Sequence, residues 1–268
     1  EKPMTLSVEE AESLAAEVER TGLIFALTHN YTAYPMVRLA RRMIRQGELG
    51  EIRRIMVEYP QGWLADIVGK DNKQGVWRTD PKTSGVSCCM GDIGSHSENL
   101  AEFISGLKIT ALCANIKSFV PGRTLDDDGD VLLKFDNGAI GSLTASQISV
   151  GEENALKIRI YGTLQALEWR QENPETLVVK SNSGAAKVFR RNWAGAAGQW
   201  SRLPAGHPEG FIEAFANIYS DVARAIAAKK EGVAYETEFP TVQDGLRGVK
   251  FIHAVVANAR GNEKWTEI

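Results

Sequence analysis

The sequence has few cysteines and no pattern that would pair them or bind zinc. Three cysteines occur in 268 residues, two of them adjacent at Cys88 and Cys89, and no Cys-x-x-Cys spacing is present. A disulfide framework is therefore excluded, and a structural zinc site is not indicated. A low cysteine content is typical of proteins from a reducing compartment, and we therefore expect a cytoplasmic protein.

Long apolar runs and concentrated positive charge are also missing. No segment approaches the ~20 apolar residues that span a bilayer, so we expect no membrane partner. The formal net charge is −3. The densest basic cluster comprises Arg38, Arg41, Arg42 and Arg45, whose helical spacing predicts a solvated helix face. We therefore expect no nucleic-acid partner.

A third absence is the glycine-rich turn that holds the pyrophosphate in many dinucleotide sites. No Gly-x-Gly-x-x-Gly spacing occurs anywhere in the chain. If a dinucleotide binds this protein, that fingerprint has to come from elsewhere.

Residues 1–47 have the pattern of a doubly wound α/β unit. Ser7 and Glu10 form a capping box before an apolar 3.6-residue period, and Gly22 marks the end of this helix. Residues 23–30 form a near-continuous apolar run, which predicts a buried parallel strand. Residues 34–47 predict a second helix, and together these elements predict the remainder of a Rossmann domain.

Residues 48–268 have a different sequence pattern, which predicts a second domain of the α+β class. Residues 51–59 alternate like a strand, residues 63–81 predict a long loop, and a helix that contains the segment MGDIGSH ends near Gly106. Several strands joined by hairpin turns follow, and two amphipathic helices close the chain. We therefore expect a mainly antiparallel open sheet with flanking helices.

The segment MGDIGSH places a carboxylate and an imidazole one helical turn apart. Asp92 and His96 are at positions i and i+4, so both side chains can reach one small molecule. Three interpretations stay open from these residues alone: a helix cap beside a buried histidine, a metal pair, or a proton-transfer pair. No further metal ligand occurs at a recognisable spacing, which disfavours the metal pair.

Three other segments carry candidate residues. Lys2 lies in EKP, where the following proline restricts its backbone. Trp77 and Arg78 precede the MGDIGSH segment; an arginine can hold hydroxyls or phosphate, and a tryptophan can cover a sugar face. The segment THNYTAYP ends the predicted strand with polar side chains, at the edge of a parallel sheet where ligands bind.

The order of these segments resembles one family over essentially the whole chain. EKP, then HNY, then WR, then GDIGSH, followed by the closing segments HPEGFIEAFANIYSDV and FPTVQDGLRGVKFIHAVV, is similar to the glucose–fructose oxidoreductase/inositol dehydrogenase (Gfo/Idh/MocA) family. The subgroup most similar to it is the sugar dehydrogenases of the levoglucosan dehydrogenase type. Members begin with a nucleotide-binding part of roughly a hundred residues. We therefore expect this chain to be an N-terminally truncated piece that by itself binds a dinucleotide weakly.

The resemblance implies a reaction, a cofactor and an assembly. It implies hydride transfer between NAD or NADP and a secondary alcohol or ketone of a sugar or cyclitol, in a homodimer or homotetramer formed through the sheet. It implies Lys2, Asp92 and His96 as catalytic residues, with no metal. The implied cofactor contacts are Glu1, Lys2, Pro3, Asn30, Trp77 and Arg78, and the implied substrate contacts are Tyr34, Gln61, Arg78, Asp92 and His96.

Two other functions remain possible from the sequence. The chain could be a catalytically silent binding or oligomerisation subunit, since the dinucleotide fingerprint is absent. It could instead be a metal-dependent sugar isomerase or hydrolase built on Asp92, His96 and Glu98. Glu98 points away from the Asp92 and His96 face of a helix, which counts against the metal enzyme.

Overall fold

A single mixed sheet lies at the centre of the structure, a computed structural model that describes residues 1–193 and 195–268. In this part of the chain its strands are β1 (Ile52–Pro60), β2 (Ile109–Lys117), β3 (Asp128–Phe135), β4 (Ile140–Ser146), β5 (Lys157–Gly162), β6 (Ala166–Arg170), β7 (Thr176–Lys180), β8 (Lys187–Arg190) and β9 (Thr266–Glu267). The order is β8-β7-β6-β5-β1-β4-β3-β2-β9. β1 and β4 are parallel, and the other pairs are antiparallel. The predicted mainly antiparallel open sheet is confirmed.

The helices flank this sheet. They are α1 (Val8–Thr21), α2 (Pro35–Arg45), α3 (Lys73–Thr79), α4 (Pro81–Ser84), α5 (Ser95–Ser105), α6 (Phe211–Glu231) and α7 (Val242–Arg260), with 3-10 turns at Asn30–Ala33, Arg191–Trp193 and Gly195–Trp200. The capping box predicted for Ser7 and Glu10 is present at α1, and Gly22 ends that helix with a φ of 62°. None of the described helices combines the length and the apolar character that crossing a membrane requires.

One hydrophobic core joins the sheet to helices α2, α5 and α7. Along β3, buried and exposed positions alternate, because successive side chains of a strand point to opposite faces. The face away from this core leaves Leu132, Ile140 and Val188 at least half exposed. Assembly of two or four copies through this sheet stays a prediction, as does the division of the chain at residue 47.

The prediction of a strand at residues 23–30 is wrong. This segment forms no strand. Its only backbone–backbone hydrogen bond to a distant part of the described chain is donated by the Leu27 N–H to the Pro240 carbonyl, at 2.8 Å. A strand needs a neighbouring strand for its hydrogen bonds, and the described sheet places none beside this segment.

Two smaller predictions also need correction. The predicted loop at residues 63–81 contains the short helix α3 and the first residue of α4, and the side chains of Asn72 and Asp80 cap these two helices. The predicted solvated arginine face is partly buried, because the Arg38 side chain forms an ion pair with Asp221 of α6 and both side chains are 2% exposed. An opposite charge on the packed helix offsets the cost of burying this guanidinium.

Candidate active site

The entry to helix α5 is irregular, and Asp126 holds it in place. Residues Met90–Gly94 form one π-helical turn before α5 begins. The buried Asp126 carboxylate accepts hydrogen bonds from the Cys88 and Met90 N–H groups at 3.0 and 2.8 Å. A π-helical turn widens the helix locally and is frequent at functional sites. Asp92 lies in this turn and His96 in the first turn of α5, and both line the same cleft.

Replacing Asp126 with alanine is expected to lower the free energy of unfolding by at least about 2 kcal/mol. The change leaves buried donors on Cys88 and Met90, and the Ser87 hydroxyl at 3.0 Å, without their acceptor. Urea unfolding measures the loss, with Asp71→Ala, at an exposed position, as the matched control. A loss below about 0.5 kcal/mol, the usual size for a surface change, would contradict this role.

The Asp92 carboxylate is surrounded by donors. Lys2 Nζ lies 2.8 Å from Oδ1 and also contacts the Asp92 carbonyl oxygen, while Arg78 Nε and Gln147 Nε2 lie 2.8 and 2.9 Å from Oδ2. Burial alone would raise the pKa of Asp92, but the charges of Lys2 and Arg78 outweigh it and the pKa is lowered. Asp92 is therefore an ionised anchor for the lysine rather than a proton acceptor.

His96 is buried among neutral rings. Its Nδ1 lies 3.4 Å from Nδ1 of His29, and the Tyr31 ring packs edge-on against it with centroids 4.7 Å apart. Burial, then Lys2 and His29, place the pKa of His96 well below its ordinary value. Burial and Lys2 likewise lower the pKa of His29 to about 3. Both imidazoles are therefore neutral near pH 7.

Acid is expected to destabilise the protein through His29. Its folded-state pKa lies below the unfolded value of 6.5. Below that value the unfolded chain binds more protons, so stability falls as the pH drops from 6.5 towards 3. Between pH 6.5 and pH 5, His29 alone is expected to remove about 2 kcal/mol of unfolding free energy. Urea unfolding at both pH values should show a smaller pH dependence in His29→Leu, and an unchanged dependence would contradict the argument.

Hydroxyl and amide side chains form another part of the wall of this cleft. The Tyr31 and Tyr59 hydroxyls are 2.6 Å apart, and Tyr59 donates to Asn154 Oδ1 at 2.6 Å. Gln61 Nε2 donates to the same oxygen at 2.8 Å, and Trp63 Nε1 donates to Gln61 Oε1 at 2.9 Å. This network presents hydroxyl and amide groups together with the exposed indole of Trp63.

These groups enclose an open cleft of about 680 Å³, and most residues predicted for the site line it. The predicted residues on its wall are Glu1, Lys2, Asn30, Gln61, Arg78, Asp92 and His96. Pro3 and Trp77 line an adjacent pocket of about 170 Å³, which shares Lys2, Arg78 and Asp92 with the cleft.

The structure does not place Tyr34 in the cleft. Its side chain is 2% exposed, and its ring lies between those of Tyr31 and Trp169. Its hydroxyl accepts a 3.4 Å hydrogen bond from Gln171. Tyr34 is the C-terminal flank of the 3-10 turn and directly precedes α2, so its side chain turns into the core while Tyr31 faces the cleft. Tyr34 therefore supports the wall from behind.

Comparison with known proteins identifies the family. Residues 37–168 match the model of the GFO/IDH/MocA C-terminal domain. The uncharacterized oxidoreductase YfiI of Bacillus subtilis is 31% identical over 276 residues, which cover 100% of this chain and 70% of that protein. The chain belongs to the Gfo/Idh/MocA family of oxidoreductases.

Two further relatives indicate the chemistry found in this family. Levoglucosan dehydrogenase of Pseudarthrobacter phenanthrenivorans is 27% identical to this Gfo/Idh/MocA chain over 302 residues, covering 100% of the chain and 73% of the relative. The structure of an inositol dehydrogenase homolog from Azotobacter vinelandii complexed with NAD+ matches with a TM-score of 0.95 and 30% identity, covering 100% of this chain and 71% of that one. The resemblance predicted from the sequence is confirmed.

Several residues of this Gfo/Idh/MocA cleft were not assigned a role from sequence. Those that line the cleft are Thr28, Tyr31, Tyr59, Trp63, Asn72, Gln74, Asn154, Phe211 and Phe215, and two more, His29 and Gln147, contact His96 and Asp92 of the cleft. Tyr59 is the penultimate residue of β1 and Asn154 lies three residues before β5, and these strands are paired in the sheet. No local pattern joins positions that are 95 residues apart. His29 and Tyr31 were visible within THNYTAYP, where their polar character was the available signal.

Glu98 does not join Asp92 and His96. It does not line the cleft, and its carboxyl is buried near Glu102 and Arg247. Burial and the neighbouring Glu102 place the pKa of Glu98 well above its ordinary value. Within residues 1–193 and 195–268, no group of three or more His, Cys, Asp or Glu side chains is placed to hold a metal ion. The geometry therefore gives no support to a metal centre built on these three residues.

Proposed function

We propose that this protein is an NAD- or NADP-dependent dehydrogenase that acts on a secondary alcohol, or the corresponding ketone, of a sugar or cyclitol. The observation that carries the proposal is the pairing of a fixed cation with a neutral imidazole in one cleft. Lys2 is held by Asp92 at 2.8 Å, and His96 lies on the same cleft wall. Alcohol oxidation needs a proton acceptor and a cation for the developing alkoxide, and these two residues supply them.

The cleft has unpaired polar atoms that fit a nicotinamide carboxamide. The Thr28 hydroxyl and the Asn30 amide nitrogen are buried with no hydrogen-bond partner in the described part of the chain, and both residues line the cleft beside Lys2. Buried donors of this kind cost free energy unless a ligand supplies an acceptor. Glu1, Pro3, Asn30, Trp77 and Arg78 would hold the cofactor, which when bound supplies the hydride acceptor or donor.

Lys2 and His96 have different roles toward the substrate oxygen: Lys2 donates a hydrogen bond to it, and His96 exchanges a proton with it. Two of the three Lys2 ammonium hydrogens are directed to the side chain and the carbonyl of Asp92, which leaves one for a substrate hydroxyl. Neutral His96 takes the hydroxyl proton during oxidation and returns it during reduction. Asp92 holds the lysine in place, and the Gln147 amide and Arg78 hold Asp92.

The remaining cleft wall favours a polyhydroxylated substrate. Tyr31, Tyr59, Gln61 and Asn154 present a bonded set of hydroxyl and amide groups that can exchange hydrogen bonds with ring hydroxyls. A site built from buried polar groups rejects analogues that lack the matching hydroxyl, because its own groups are then left unpaired. Trp63, which is 40% exposed, offers an aromatic surface for the apolar face of a sugar.

Nicotinamide reduction by the protein expressed from its full reading frame tests the proposal. A panel of sugars and cyclitols is assayed with NAD and with NADP, and binding of each nicotinamide is measured separately by fluorescence. We expect turnover with at least one polyol and one nicotinamide. No turnover with any pair, together with no nicotinamide binding, would overturn the proposal and favour a catalytically silent binding subunit. A stoichiometric divalent ion in the active protein would favour a metal enzyme instead.

A further inference from the structure

Two buried histidines meet beside the cleft, and one of them has no part in the proton transfer described above. Nδ1 of His29 lies 3.4 Å from Nδ1 of His96, with ring planes at 85° to each other. His29 precedes the 3-10 turn Asn30–Ala33, and His96 lies in the first turn of α5. The two side chains are 2% and 8% exposed, so water does not readily replace this contact.

A contact between two Nδ1 atoms allows only one donor. A neutral imidazole carries one N–H, so one ring must donate while the other accepts. If His96 donates from Nδ1, its Nε2 carries no hydrogen and can accept a proton from a substrate. If His29 donates, His96 carries its hydrogen on Nε2 and cannot accept one there. The direction of this hydrogen bond therefore decides whether His96 can act as a base.

The other groups around His96 do not compete for Nδ1. The rings of Tyr31 and Tyr59 face it with centroids 4.7 and 6.3 Å away, and neither hydroxyl is hydrogen-bonded to it. Lys2 and Asp92, the nearby charges, are bonded to each other. In the part of the chain that the structure describes, His29 is the one hydrogen-bond partner of the His96 ring.

We propose that His29 is a positioning residue that accepts the Nδ1–H of His96 and so holds His96 in the tautomer whose Nε2 can take the substrate's hydroxyl proton. This inference rests on the proposed function. In the oxidation direction the substrate O–H bond breaks as the Nε2–H bond forms on His96, and the electron pair of the carbinol C–H bond leaves as hydride to the nicotinamide. His96 becomes an imidazolium that keeps donating from Nδ1 to neutral His29.

The test combines a tautomer measurement with two substitutions. Histidine-labelled ¹⁵N NMR spectra of the protein from its full reading frame distinguish a protonated from an unprotonated ring nitrogen. His207→Asn and His253→Asn assign the other two histidines of this chain. His29→Asn keeps an acceptor oxygen near the position of Nδ1, whereas His29→Leu removes the acceptor and is of similar size. Thermal unfolding of each variant shows that it is folded.

We expect Nε2 of His96 to be unprotonated in the wild-type protein and in His29→Asn. In His29→Leu we expect a mixture of tautomers and a kcat at least about 10-fold lower with little change in KM. A wild-type His96 protonated on Nε2 would overturn the proposal, and so would a His29→Leu variant with unchanged tautomer and kcat. If the wild-type protein turns over no polyol, the proposed function fails, and the NMR spectra still decide which ring donates.

Discussion

Replacing Lys2 with methionine is expected to lower kcat/KM roughly 10²–10³-fold. Methionine keeps most of the length of the side chain but removes the cation that we propose to face the developing alkoxide. The lysine is 11% exposed on its side chain and bonded to both the carboxylate and the carbonyl of Asp92, so its position is fixed before substrate binds. A charge that is already oriented stabilises the transition state without further reorganisation. Initial rates of nicotinamide reduction measure the effect.

The matched control for this change is Lys230→Met, which removes an exposed lysine near the end of α6. It should leave kcat/KM unchanged. Nicotinamide binding by Lys2→Met, measured by fluorescence, separates a catalytic loss from a loss of cofactor affinity. A kcat/KM of Lys2→Met within about 3-fold of wild type would remove the lysine from the reaction.

The local elements of this fold could be predicted because their signals lie within one segment. The capping box of Ser7 and Glu10 and the closing Gly22 are present as the sequence indicated. The hairpin between β3 and β4 turns at Gly138, which takes a φ of 87° that glycine adopts without strain. In both cases the residues that form the feature are within a few positions of one another.

Features that depend on distant partners could not be predicted. The apolar run at residues 23–30 has the composition of a strand, but composition does not supply a neighbouring strand. Tyr34 and Tyr31 are equally aromatic and polar in sequence, and only the packing of α2 on the sheet turns Tyr34 towards Trp169. Gln147 was given no role, although its amide nitrogen lies 2.9 Å from Asp92 across 55 residues of chain.

Two titratable groups of the candidate site, Asp92 and His96, differ in charge because their surroundings differ. The charges of Lys2 and Arg78 outweigh burial and lower the pKa of Asp92, to which Gln147 also donates a hydrogen bond, so Asp92 stays charged. Among residues 1–193 and 195–268, His96 has no carboxylate partner; it is packed against Tyr31 and His29, and it stays neutral. Because one group is charged and the other is neutral at the same pH, the two can take different roles in one reaction. The same lysine holds Asp92 ionised and disfavours a second positive charge on His96.

Replacing His96 with asparagine is expected to lower kcat roughly 10²–10⁴-fold, because a positioned proton acceptor contributes a factor of this size. Asparagine can still hydrogen-bond a hydroxyl, so KM should change less than kcat. His207→Asn, at an exposed position outside the cleft, is the matched control and should retain wild-type rates. A kcat for His96→Asn close to that of the control would contradict the role of His96.

The pH dependence of the wild-type rate provides an independent check of the same residue. A base must be unprotonated to act, and burial with the nearby Lys2 charge places the pKa of His96 well below 6.5. The rate of alcohol oxidation should therefore show no acid limb, that is, no loss of rate on acidification, at pH 6.5. The rate should fall only at lower pH, provided that it is measured before the protein unfolds in acid. The acid limb that does occur should be absent from the residual activity of His96→Asn. An acid limb at pH 6.5 that persists in His96→Asn would assign the proton transfer to another group.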